Sequence, residues 1–134
     1  MNEDKINKAR TRVFKAVFPG ETNHYDTLFG GTALQWMDEV AFIAATRFTR
    51  DKVVTVSSDK VNFKTPIPAG SIVELDAQIT KVGKTSLVVS VDVYKEDMYL
   101  ENRELALNGS FVFVSIDKKK QLEAERKDGP GGIC

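Results

Sequence analysis

One stretch of this chain repeats its apolar side chains at helical spacing, and nearly everything after it repeats them at period two. From Thr32 to about Thr49, residues Ala33, Met37, Val40, Ala41, Ala44 and Phe48 fall on one face at three- and four-residue intervals. This predicts one long helix, with Thr32 or Gly31 at its N-cap. Beyond it, Val53 to Lys64 reads as a strand whose phase slips near Ser58 to Lys60, as a β-bulge would produce. Pro66, Pro68 and Gly70 mark a loop. Val73, Leu75, Ala77 and Ile79 then alternate with Glu74, Asp76, Gln78 and Thr80, and Leu87, Val89, Val91 and Val93 repeat the alternation after a turn at Val82 to Thr85. The last strand, Leu105 to Ile116, is apolar on both faces in FVFVSI, which predicts that both faces are covered. Ahead of the helix, a polar opening predicts a short helical lead-in. Val13 to Phe18 then reads as a first strand ended by Pro19-Gly20, and Glu21 to Leu28 as a polar loop.

The expected order is therefore one short strand, one long helix, and four consecutive strands in a meander. Runs of strands beside one segregated helix give an α+β architecture; an antiparallel sheet wrapped around one long central helix is one such arrangement, and the pattern alone also allows other α+β sheets. That helix must be narrow to lie close to the sheet, and Ala41, Ala44 and Ala45 suit it. A chain of 134 residues has room for one such domain. Its core is expected over about residues 10 to 117, with a charged tail over 118 to 134 that is solvated or weakly helical. The 19 basic and 19 acidic residues cancel, so there is no global field for nucleic acid, and an anionic ligand needs a local cluster. Cys134 is the single cysteine, which excludes an intramolecular disulfide and fits a reducing compartment. The opening MNEDKINKAR has no apolar run to act as a signal peptide, and no stretch approaches the roughly 20 apolar residues of a membrane span. The expectation is a soluble cytoplasmic domain.

The single histidine, His24, narrows the chemistry. A Ser-His-Asp or Cys-His site would need it, and no His, Cys and carboxylate set has metal-ligand spacing. Carboxylates and amides remain. Asp38 has Leu34, Gln35, Ala41 and Phe42 three and four residues away, so it sits on the shoulder of the buried stripe, whereas Glu39 falls on the polar side. A carboxylate on an apolar margin needs a reason, because burying it unpaired is costly. A surface-edge aspartate that pairs with a lysine or caps a loop would show the same pattern. Phe29-Gly30-Gly31 at the helix start would let a ligand approach N–H groups that lack intrahelical partners, or would simply make a tight turn. Asn23 and His24 stand close enough upstream to reach the same mouth, and equally suit a turn. Gly83-Lys84-Thr85-Ser86 offers a cation, hydroxyls and backbone donors at a hairpin, where a generic hairpin with a solvated lysine would look alike.

Taken together, these pieces resemble the acyl-CoA hydrolase family of hotdog thioesterases. The resemblance rests on Phe18-Pro19, Asn23 through Phe29-Gly30-Gly31, Leu34-Gln35-Trp36-Met37-Asp38-Glu39, Val53-Val54-Thr55-Val56-Ser57, Phe63 through Pro66-Ile67 to Gly70, Val82-Gly83-Lys84-Thr85-Ser86, and Phe111-Val112-Phe113-Val114. These landmarks stand in the family's order and cover roughly residues 10 to 117. The fold implied is the hotdog, and the activity implied is hydrolysis of acyl-CoA to free acid and coenzyme A. Asn23 and Asp38 match the family's catalytic pair. Asp38 would act as general base or by direct attack, Asn23 would orient the water or the carbonyl, and the Gly30-Gly31 N–H groups would polarise the carbonyl. Val56, Ser57 and Ser58 with Lys84, Thr85 and Ser86 match its CoA-contacting segments. No metal or redox cofactor is implied, coenzyme A being part of substrate and product. The implied partner is a second copy, in a dimer whose sheets join edge to edge with Asn23 of one subunit facing Asp38 of the other, and a hexamer as a trimer of dimers.

Two positions depart from the family pattern. Asp26 stands where glycine is usual, three residues after the asparagine, and Lys84 replaces the commoner arginine, trading a planar fork for a point charge. Met98, Tyr99 and Leu100 make an apolar patch in a polar turn, suited to core or to the wall of an acyl tunnel. Other occupants of the same fold give three further readings: a non-catalytic acyl-CoA-binding protein, a hydratase or dehydratase relying on His24, and a purely structural oligomerisation module. Site residues, not fold, separate them.

Overall fold

A computed structural model describes residues 3–116 of the chain, so the tail expected over 118–134 and Cys134 lie outside the described residues. The elements are α1 (Glu3–Ala9), β1 (Thr11–Ala16), a 3-10 turn (Pro19–Glu21), α2 (Gly30–Thr49), β2 (Val53–Phe63), β3 (Ser71–Val82), β4 (Ser86–Asp97) and β5 (Glu104–Ser115). All four strand pairings are antiparallel, and α2 buries its apolar stripe against the sheet. The expected helix wrapped by an antiparallel sheet is thus what the chain forms.

The expected meander is not. The strand order is β1-β3-β4-β5-β2, so only β3, β4 and β5 follow one another, and β2 pairs with β5 at the far edge. Alternation announces a strand but says nothing of its partner. The order is set by the connections. After β2, residues 64–70 cross the end of the sheet, donating from Lys64 N–H to Ala106 C=O (2.8 Å), then from Gly70 N–H to Val17 C=O (2.9 Å). Ile67 is the buried anchor of that crossing.

The inner face shows why the helix is Ala-rich. Ala77, Val91 and Gly109 stand in one row across β3, β4 and β5. A Cβ on Gly109 would lie 3.0 Å from Val61 Cγ2 and 3.5 Å from Met37 Cε. Ala41, Ala44 and Ala45 on the helix that packs against this face are all fully buried, and interiors packed this closely do not tolerate added volume. The helix starts at Gly30, with Phe29 as N-cap, two residues before Thr32. Phe29 supplies no side-chain cap; its carbonyl accepts the first helical bond, from Ala33 N–H at 3.0 Å. The expected β2 phase slip appears as a register shift between Asp59 and Asn62, and a second, unexpected one lies between Thr55 and Ser57.

On the outer face, two residues of the polar phase of β3 are not solvated. Glu74 and Asp76 are 8% and 3% exposed. Arg10 Nε and Nη2 donate to the two oxygens of Asp76, at 2.9 and 2.5 Å, and Arg103 Nε and Nη2 donate to Glu74 Oε1 at 3.0 and 2.8 Å. Arg12 stands 3.7 Å from both carboxylates, and Arg103 lies over the Tyr94 ring. The Arg10 hydrogen bonds hold Asp76 below the usual carboxylate range against the opposing effect of burial. A carboxylate depressed on folding stabilises the fold above its unfolded pKa, and that stability is lost as pH falls through the folded value. Arg10→Ala should therefore cost about 2 kcal/mol at neutral pH. Denaturant titrations of both proteins should show the gap closing as pH drops below about 4, the unfolded aspartate value; a gap independent of pH would contradict this account.

Candidate active site

α2 carries Gly31, Leu34, Gln35 and Asp38 along one stripe, which with Thr55 and Ser58 of β2 and Phe111 of β5 lines a cavity of about 330 Å³. Asp38 is the single ionisable side chain among these seven. Thr55 stands opposite Phe113 in the β2–β5 ladder, so it faces the helix, and it is fully buried. Its hydroxyl donates to Asp38 Oδ1 at 2.9 Å, which satisfies a group whose burial would otherwise cost about 1–3 kcal/mol and fixes the carboxylate in the cavity wall. The register slip after Thr55 makes Val56 the extra residue and leaves it exposed. In consequence Ser58, paired with Phe111, returns to the helix-facing side, whereas Ser57 pairs with Val112.

Asn23 does not line this cavity. It opens the loop between the 3-10 turn and α2, where its Oδ1 accepts from Tyr25 N–H (2.9 Å), Thr27 N–H (3.2 Å) and Thr27 Oγ1 (3.1 Å). The loop is stitched to the 64–70 crossing by Leu28 N–H to Ile67 C=O (2.7 Å) and Ala69 N–H to Asp26 C=O (3.0 Å). His24 is exposed and stacks on Tyr25 at 4.0 Å between ring centroids, away from the Asp38 cavity. Gly30 and Gly31 form the first turn of α2, and only Gly31 reaches the cavity; no atom lies within 4 Å of the Cβ position on Gly31.

Lys84, Thr85 and Ser86 line a second cleft of about 210 Å³, at the β3–β4 hairpin, together with Lys5 of α1, Phe48 and Thr49 at the end of α2, Asp51 and Ser115. Lys5 Nζ lies 4.8 Å from the Phe48 ring centroid. The hairpin closes through Gly83 N–H to Ser86 C=O at 2.7 Å. Along α2, Asp38 and Phe48 are about ten residues apart, or about 15 Å at the helical rise. The expected CoA segments thus divide, with Ser58 in the Asp38 cavity and residues 84–86 in the distal cleft. Tyr99 and Leu100 join neither: they project from the β4–β5 turn, 89% and 62% exposed, which rules out core. Val112 and Val114 are half-buried, so the chain by itself does not cover the outer face of β5.

Thr55, Phe111 and Lys5 line these clefts, yet sequence reasoning gave them no site role. Thr55 left a trace, a hydroxyl on the same strand phase as buried Val53; Lys5 left none, since only the docking of α1 brings it to the hairpin.

A family model described as the thioesterase superfamily matches residues 25–101. The chain belongs to the thioesterase superfamily. A Bacillus subtilis relative, named an uncharacterized acyl-CoA thioester hydrolase, is 42% identical over 101 residues, covering 75% of this chain and 59% of that protein, so the match spans less than two thirds of the relative's length. Among solved structures, the Staphylococcus aureus acyl-CoA hydrolase in complex with butyryl coenzyme A, coenzyme A and coenzyme A disulfide superposes with a TM-score of 0.81 at 26% identity, covering 92% of this chain and 90% of that one. The hexameric thioesterase of Yersinia pestis gives 0.73 at 27% identity, over 79% and 86% of the two chains. The sheet and central helix described above are accordingly the hotdog arrangement of this superfamily.

Asp26 can now be explained within it. Its φ is +62°, in the left-handed region, where glycine is unstrained and aspartate is among the better-tolerated alternatives. Asp26→Gly should fold at least as stably, whereas Asp26→Val should cost about 1–2 kcal/mol. Thermal denaturation of the two variants checks this, and equal stability of the valine variant would show that the loop does not hold the angle.

Proposed function

We propose that this chain hydrolyses acyl-CoA thioesters to the free acid and coenzyme A, with Asp38 as general base and Asn23 as its partner. The observation that carries the reading is the placement of Asp38. It is the one ionisable group in a largely apolar cavity on the central helix, held by a buried threonine. The Staphylococcus aureus enzyme has been characterised with alanine in place of an asparagine, an aspartate and a threonine that are spaced along its chain as Asn23, Asp38 and Thr55 are here.

In the reaction, a water oxygen attacks the thioester carbon as its proton passes to Asp38. Negative charge grows on the carbonyl oxygen, where donors aimed at it lower the barrier, and the first-turn N–H groups of α2 supply such donors. The C–S bond then breaks and coenzyme A leaves as a thiolate that takes up a proton. The thioester lies beside Asp38, and the phosphates of coenzyme A lie in the distal cleft with Lys84 and Lys5. An elongated ligand is what two clefts about 15 Å apart on one helix require. No metal or redox group enters the scheme.

The site is shared between copies. Asn23 is absent from the cavity that holds Asp38 in its own chain, and β2 is a long edge strand bearing exposed Val56 and Phe63. Such edges call for cover. Pairing two sheets edge to edge at β2 supplies it and carries Asn23 of one subunit to Asp38 of the other. Three such dimers make the hexamer.

The test is thiol release from acyl-CoAs running from acetyl to palmitoyl. The wild-type chain should turn over at least one of them, and Asp38→Asn should lower kcat on it by about 100-fold or more, in the range of a lost general base. Near-normal turnover by Asp38→Asn would remove Asp38 from the role, and tight binding across the panel without thiol release would replace the hydrolase with a binding protein.

A further inference from the structure

The loop that carries Asn23 says more about this residue than its presence does. Its side-chain oxygen accepts three hydrogen bonds, from Tyr25 N–H, Thr27 N–H and Thr27 Oγ1. Two of these donors are backbone amides, which can only donate, so the atom facing them is the oxygen and the amide nitrogen faces the other way. The Thr27 hydroxyl brings a third donor to an atom with two lone pairs. No acceptor capacity remains for a substrate or a water. Asn23 can offer its surroundings only the two N–H bonds of Nδ2.

We infer that Thr27 is a positioning residue that locks the Asn23 amide with its N–H bonds outward, making Asn23 a donor to the reacting carbonyl oxygen and not an acceptor for the attacking water. This rests on the thioesterase reading above. Thr27 is suited to the task because its place does not depend on the Asn23 side chain alone: its C=O accepts from Asn23 N–H at 2.8 Å. It bridges to Pro68, and its neighbours bond to the crossing loop through Leu28 N–H to Ile67 C=O and Ala69 N–H to Asp26 C=O. The two backbone donors set which way the amide faces, and the hydroxyl closes the remaining direction, so the amide plane cannot swing. An N–H donor helps a carbonyl oxygen that gains charge but would tie up a lone pair of an attacking water, so the geometry selects the carbonyl.

Thr27→Val keeps the β-branched shape and the backbone donor but removes the hydroxyl. It should lower kcat about 10-fold, the size expected from one lost hydrogen bond that fixes a donor, with KM and melting temperature nearly unchanged. Thr27→Ser should restore turnover. Asn23→Asp keeps an acceptor for the loop's donors but puts a carboxylate oxygen where the N–H bonds were, so it should be as inactive as Asn23→Ala. Wild-type kcat in Thr27→Val, or turnover retained by Asn23→Asp, would overturn the inference. So would Thr27→Val and Thr27→Ser losing kcat and melting temperature together. If the wild-type chain itself released no thiol, the activity reading would fall while this one stayed open to measurement. Nitrogen-15 spectra should then show one sharp Asn23 side-chain amide pair in the wild type and in Thr27→Ser, broadened or shifted in Thr27→Val; an unchanged pair would refute the lock.

Discussion

The burial of α2 against the inner face of the sheet decides where every other feature falls. Small residues stand on both sides of the interface, with Ala41, Ala44 and Ala45 buried on the helix and Ala77 and Gly109 flanking Val91 on the strands. A helix seated this tightly cannot roll, since rotation would lift Met37 from its contact with Gly109 and drive larger side chains into the row. The rotation that buries Met37 also brings Asp38, one position on, to the margin of the contact, where Thr55 meets it. A carboxylate that would be costly deeper in the core, and loosely held on the surface, is fixed at the wall of a cavity. Chemistry and packing are two faces of one helix.

The two margins of the sheet are handled differently. On the outer face of β1 and β3, Glu74 and Asp76 are closed off within the chain by Arg10, Arg12 and Arg103, while Phe14, the ladder partner of Glu74, stays 62% exposed. At the opposite edge, β2 presents exposed apolar side chains and a run of strand without a neighbour on one side. In the proposed dimer, a second copy pairs at β2, beside the Asp38 cavity, and completes the site there.

Much of this was readable in the amino-acid order, for identifiable reasons. The helix was legible because its buried face is long and strictly spaced, and β3 and β4 because their alternation is clean. The Asp38 position followed from the wheel. The meander was misread because alternation is local, whereas the pairing of β2 with β5 depends on a connection crossing the end of the sheet. The helix start was misplaced because Thr32 looks like a cap, yet the Phe29 carbonyl opens the helix without help from a side chain. Burial of Glu74 and Asp76 was hidden because their shields come from Arg10 and Arg103, far away in the chain. Thr55 was visible only as one residue of a strand until its ladder partner placed it facing Asp38. The glycine-favouring angle at Asp26 explains a departure from the family pattern that the letters alone could only note.

The central claim is that Asp38 of one copy works with Asn23 of another. Subunit complementation tests it most directly: Asn23→Ala and Asp38→Asn chains, each inactive alone, are unfolded, mixed in equal amounts and refolded together. If the site is shared, half of the randomly paired dimers are mixed and each has one intact site of two, so roughly a quarter of wild-type activity should return. A mixture no more active than its parents, with exchange of subunits confirmed, would place both residues in one chain's site and contradict the account.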